Sequence, residues 1–278
     1  MRKSVLVSLV IAVVAGTAAA DTGRIEIGPT DTFPIIIDTP GSYVLTADLH
    51  TTQNGTPAIE ITSDQVTLDL GGHVIRGPGS DQNGTGIYGY DRSGIVVHNG
   101  TITEFANGII FGSGTFSFGV NVFHDLVISD MGQSGLTFSG GVAHDIVATN
   151  VSVPAYTGAG VSCGFCSLTN VTVRASFKGI SLFKGSAVNC SSIGNETGFS
   201  LRWASLTGGV AMDNSGHGVD GIIESTVIGV AASGNGAYGI NLDSGGNNNA
   251  VNCTAANNGV ADIVGCGDGN GCHQNYMP

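Results

Sequence analysis

The chain has 278 residues and a formal net charge of −12, with 45 glycines and 41% hydrophobic residues against only 11% charged ones. Such a balance excludes a disordered chain, which would pair low hydrophobicity with high charge. Its acidity argues against nucleic acid or an anionic lipid surface as a partner, and its glycine content fits many short β segments with frequent turns.

Residues 1–20 read as an export signal. Arg2 and Lys3 give a basic start, Val5 to Val14 a mostly apolar run, and Ala18-Ala19-Ala20 a small-residue cleavage pattern before Asp21. The run is shorter than the roughly 20 residues of a membrane span, and no later stretch qualifies. The expected product is a secreted, extracellular or periplasmic monomer built as one domain over residues 21–278. Without Arg2 and Lys3 its seven cations face 21 acids, a formal charge of −14.

Beyond a stretch near Ile25 to Leu49, expected to cover the N-terminal end, a motif repeats along the chain. A glycine or alanine precedes alternating apolar residues at Ala58-Ile59-Glu60-Ile61, Gly86-Ile87, Gly108-Ile109, Gly135-Leu136 and Gly160-Val161. It returns at Gly179-Ile180, Gly198-Phe199, Gly218-Val219, Gly239-Ile240 and Gly259-Val260. The spacing shortens from about 28 residues to about 20, the pattern of a solenoid with longer early loops. Within each repeat an Asn or Asp precedes a second period-2 segment: Asn99, Asp125, Asp145, Asn170 and Asn189. Alternation of this kind places apolar side chains on one face of a strand, and no segment sustains a helical period. Two strands do not close a turn of this length, so a third is expected before the Asn/Asp column, for example at Ala187-Val188. The expected fold is all-β: a single-stranded right-handed parallel β-helix of about ten coils.

All six cysteines lie in the second half. Cys266 and Cys272 flank a glycine-rich turn near the C-terminus and are expected to pair there as a closing loop. Cys163 and Cys166 form C-x-x-C, read here as a local disulfide because export permits one. Cys190 and Cys253 fall at inward strand positions and are expected as buried thiols.

Pro40-Gly41-Ser42-Tyr43-Val44-Leu45 and Val66-Thr67-Leu68-Asp69-Leu70-Gly71-Gly72-His73-Val74-Ile75 resemble the opening coils of bacterial pectin-lyase-like β-helix proteins. The Asn99, Asp125, Asp145, Asn170 and Asn189 column is similar to that family's structural asparagine ladder, whose stacked amides bond one another. The resemblance implies a carbohydrate-related protein, but the family holds lyases, hydrolases, epimerases and binders, so fold alone does not fix the activity.

Two regions carry candidate chemistry. His98, His124 and His144 stand at equivalent positions of successive repeats, either as a metal site or as polar residues edging a turn. Arg174, Lys178, Lys184 and Arg202 crowd into three coils beside Trp203, the only tryptophan. Lys184 and Trp203 each lie five residues past their glycine and should stack on adjacent coils. Trp203, Lys178 and Arg174 are expected to bind substrate, an aromatic face with cations suiting a sugar that carries carboxylates. The resemblance implies a lyase or epimerase in which Arg202, Lys184, His217 and Asp220 are catalytic, with Ca²⁺ on Asp220, Asp243 and Glu224. A hydrolase would need paired carboxylates. Ser215-Gly216-His217-Gly218 is similar to a polygalacturonase element, yet that family's adjacent aspartates and Arg-x-Lys are missing. The alternative is a non-catalytic structural or glycan-binding solenoid. Asp91-Arg92 and the loops Pro78–Thr85 and Gly112–Phe118 are further places where a cleft is expected.

Overall fold

The computed structural model describes residues 23–30, 32–112, 120–151, 158–242, 246–267 and 271–277. The expected export signal, Asp243 and most of the Gly112–Phe118 loop lie outside them. Among the described residues every regular element is a strand, and every pairing is parallel. No helix among them is long and apolar enough to cross a membrane. The chain is a parallel β-helix, with three faces wound in about ten coils.

The glycine-led strands form the first face, running through Pro57–Ile61, Thr85–Tyr90 and Asn107–Gly112 to Lys178–Phe183, Thr197–Arg202 and Val219–Ile223. Their inward residues stack in register as Ile59, Ile87, Ile109, Leu136, Val161, Ile180, Phe199, Val219 and Ile240, all fully buried. Partners on this face are 28 residues apart at Ile59 and Ile87 but 19 at Ile180 and Phe199. The second face holds the third strand of the expected repeat, seen at Ser186–Val188 and Ser205–Thr207. The third face carries Thr172–Arg174, Ser191–Ile193 and Val210–Met212.

The glycine column has a steric cause. A Cβ on Gly198 would stand 2.3 Å from the Gly218 carbonyl oxygen, and one on Gly218 would stand 2.5 Å from that of Gly239. Only a bare Cα lets successive coils approach this closely.

In many of the described coils the corner between two faces turns on one residue in the left-handed region, a short bend between two extended strands. Between the second and third faces those residues are Asn99, Asp125, Asp145, Asn170 and Asn189, with φ from 52° to 62°. They form a column as expected, but they are exposed, and within the column, among the described residues, only Asn170 bonds Asp145 through side chains; Asn99 bonds Asp69, and Asp125 and Asp145 bond His124 and His144. The buried amide ladder runs along a different corner, through Asn195, Asn214, Asn235 and Asn258. Asn214 Oδ1 accepts the Asn195 backbone N–H at 3.0 Å, Asn235 Oδ1 that of Asn214 at 3.1 Å, and Asn258 Oδ1 that of Asn235 at 3.1 Å. Asp262 ends the run by accepting from Asn258 at 2.7 Å. The ladder assignment is therefore corrected: a left-handed residue points out, and the residue after it points in.

Both expected disulfides are present, Cys163–Cys166 and Cys266–Cys272, and Cys190 and Cys253 are buried thiols.

Candidate functional site

The corner between the first and second faces places aromatic residues at left-handed positions, which the other two corners do not among the described residues. Its left-handed positions are occupied by Phe165, Lys184, Trp203 and Glu224, with φ between 43° and 53°. Bulky residues are outliers in this region, where Asn, Asp or Gly sit with less strain. Retaining four in consecutive coils concentrates strain where side chains are presented to solvent, a habit of functional sites. The Cys163–Cys166 bridge closes around Phe165.

These side chains assemble into a ridge. The Phe183 ring meets Phe165 edge-on at 5.7 Å and Trp203 edge-on at 5.4 Å. The Lys184 ammonium lies 5.3 to 5.6 Å from the centroids of Phe165, Phe183 and Trp203. The Arg202 guanidinium is 6.0 Å from the Trp203 ring. Trp203 is 38% and Phe183 36% exposed, leaving aromatic surface for a ligand. The expected Lys184–Trp203 adjacency is observed. Phe165 and Phe183 were missed, although Phe165 also lies five residues past its glycine, Gly160.

Charge sets this ridge apart. Arg24, Arg76 and Arg92, on the early coils, lie 2.8, 2.6 and 3.9 Å from Asp69, Glu104 and Asp64. Among the described residues, Arg174, Lys178, Lys184 and Arg202 have no carboxylate within 4.0 Å. Four of the seven cations beyond residue 20 thus have no carboxylate partner among the described residues.

The other candidates are dispersed. Lys178 opens the strand that Phe183 ends, at the far edge of the first face. Arg174 ends a strand of the third face and does not join the ridge. Asp220 is in register with Ser200 and accepts a hydrogen bond from Asn241 at 3.0 Å. Glu224 sits at the corner, roughly 10–13 Å along the strand from Asp220 at about 3.3 Å per residue. Asp243, the third expected calcium ligand, lies outside the described residues. Among the described residues no three His, Cys, Asp or Glu side chains are grouped to hold a metal. His217 heads the next strand on the first face, its ring stacked on Tyr238 at 5.2 Å and 4°. Its Nδ1 is buried with no hydrogen-bond partner.

His98, His124 and His144 stack on the second face at 4.8 and 4.9 Å, within 8° of parallel. Parallel rings send their nitrogen lone pairs in parallel directions, so the three do not converge on one ion. His124 and His144 each bond the aspartate that follows, Nδ1 to Asp125 and to Asp145 at 2.8 Å. The polar-edge reading holds and the metal reading does not.

The fold and the ridge define a parallel β-helix repeat protein with an exposed aromatic and cationic corner. No family model matches the chain, and no curated protein matches it. Solved structures do. The A-module of the Azotobacter vinelandii mannuronan C-5 epimerase AlgE4 aligns over 79% of this chain and 70% of its own, at 18% identity and TM-score 0.53. The Dettilon tailspike protein aligns over 91% of this chain but 61% of its own, at 13% identity and TM-score 0.55. A periplasmic alginate epimerase, AlgG, aligns over 92% and 77%, at 11% identity and TM-score 0.51. At such identities the likeness is one of fold.

Proposed function

We propose that the protein is an exported glycan-binding β-helix that holds an acidic polysaccharide against the first face and its aromatic corner. The observation that carries this reading is the set of cations beside Trp203 that have no carboxylate partner among the described residues. An acidic chain that leaves Lys184 and Arg202 without carboxylates presents them to anions from outside. Phe165, Phe183 and Trp203 offer flat apolar surface to the C–H faces of a pyranose. Disulfides support export, and two of the similar structures are named for acting on alginate or mannuronan.

Calorimetric titration with uronate oligosaccharides and their uncharged counterparts tests this. Uronates should bind, with affinity falling as salt rises, and Arg202→Ala or Lys184→Ala should weaken them about tenfold. Equal affinity for charged and uncharged oligosaccharides at this face would sink the reading.

A second reading, a uronate lyase or epimerase, is favoured by the unpartnered His217 Nδ1 beside Tyr238. A base there, or Lys184 or Arg202, would take the proton next to the sugar carboxylate. Expulsion of the neighbouring glycosidic oxygen would leave an unsaturated end, whereas return of a proton to the opposite face would invert the centre. Ultraviolet absorbance reads the first outcome, and deuterium uptake from heavy water the second. Silence in both, with and without Ca²⁺, leaves a binder.

A further inference from the structure

The first face carries a concavity nearer its N-terminal end. It measures about 380 Å³ and is lined by Glu60, Asn83, Thr85, Tyr88, Asn107 and Gln133, among others. Glu60 and Tyr88 belong to one outward column, and Thr85 and Asn107 to its neighbour. Register carries Tyr88 through Ile110, Thr137, Ser162 and Ser181 to Ser200, five coils on. At about 4.8 Å per coil Tyr88 lies roughly 14 Å from the strand that carries Phe165 and roughly 24 Å from the strand before Trp203.

Its backbone is already fixed. The Gly55 N–H donates to the Asn83 carbonyl, Asn107 N–H to Gly84 at 3.0 Å, and Gln133 N–H to Ala106 at 2.7 Å. Its polar side chains are unspent: none of those six makes a side-chain hydrogen bond to the described protein, whereas the buried ladder asparagines are bonded through both amide atoms. Asn83, Asn107 and Gln133 each offer donors and an acceptor, as sugar hydroxyls do, and Tyr88 adds a ring. Among the described residues lining the groove Glu60 alone is charged, so its field opposes a carboxylate.

We infer that this groove binds an uncharged pyranose unit, giving the face two subsites of opposite preference. The inference goes beyond the acidic-glycan reading and does not require it. Titrate the full chain with cellohexaose and chitohexaose, both uncharged, and separately with a hexauronate. At least one uncharged hexamer should bind, and Tyr88→Ala or Asn107→Ala should weaken it about tenfold, the size of one lost contact. Glu60→Gln, which keeps the shape of the groove, should weaken it too, and covers the case in which the smaller side chains disturb folding. If neither hexamer binds, or if all three variants bind it as the parent does, the inference fails. Uronate binding that persists in that event leaves the cationic face standing. Loss of uronate binding alone sinks that face and not this groove.

Discussion

Lys184 places its ammonium 5.6 Å from the centroid of the Trp203 indole, while both residues hold left-handed backbone at φ 53° and 51°. The pair is strained locally and joined by side chains across adjacent coils. Stability and binding should therefore respond differently to change there.

Trp203→Gly removes a left-handed penalty of about 1–2 kcal/mol and an edge-on ring contact of about 0.5–1.5 kcal/mol. With the cation–π contacts and the half-buried ring area also lost, unfolding free energy should fall by about 1–2 kcal/mol, less than for a core aromatic. Affinity for uronate oligosaccharide should fall at least about tenfold. A denaturant titration showing a loss typical of a core residue would mean that the indole is structural.

The relocated ladder predicts a contrast between two asparagines. Asn214→Ala leaves the Asn195 N–H and the Ser192 carbonyl without their buried partner. The cost should be about 2–4 kcal/mol. Asn189→Gly changes an exposed left-handed corner residue that glycine fits, and should cost less than about 0.5 kcal/mol. Urea unfolding of both variants decides it. Equal costs would overturn the assignment of the ladder.

Stability should fall on acidification in two stages. Burial lowers the His98 pKa, with His124 and Arg24 adding to this while Asp69 and Asp125 oppose it. The folded state thus binds fewer protons than the unfolded one, and stability declines as pH falls below about 6.5 towards the folded value. Asp69 behaves as a depressed carboxyl. Burial is the largest influence and raises its pKa, but the Gly71 N–H, the Asn99 amide, His98 and Arg24 together outweigh it. Its contribution is present above about pH 3.9 and lost as pH falls through the folded pKa. His98→Gln should flatten the upper limb of an unfolding free energy against pH plot, and Asp69→Asn the lower. Limbs that stay unchanged in both variants would refute the assignment.

Burial pushes the Cys190 and Cys253 thiols up from their ordinary pKa. Little thiolate then exists at neutral pH, and an aromatic disulfide reagent should find almost no reactive thiol in the native protein. In denaturant it should titrate two, because the other four cysteines are bridged. Rapid native labelling would show that the coils open.

Most of the fold was legible in the amino-acid order. A glycine recurring before alternating apolar residues marks where coils touch, because contact between Gly198 and the Gly218 carbonyl tolerates no Cβ. Inward strand positions follow from period 2, and Cys163–Cys166 and Cys266–Cys272 followed from short separations and the expectation of export. The Lys184–Trp203 stack came from counting residues past each glycine, and the same count would have found Phe165.

Only the wound chain decided what happens at the corners. A left-handed residue slips the in-and-out alternation by one, so Asn189 faces solvent and Cys190 the core, while Gly194 turns out and Asn195 turns in. Two asparagine columns that look alike in one dimension therefore have opposite burial. The extra residue in Val219–Ile223, where Arg202 pairs with Ile223, likewise separates Asp220 from Glu224. The groove at Glu60 and Tyr88 comes from strands of successive coils, adjacent only once the backbone has stacked. Period and composition act within a strand, whereas corner geometry and charge pairing arise between residues that coiling brings together.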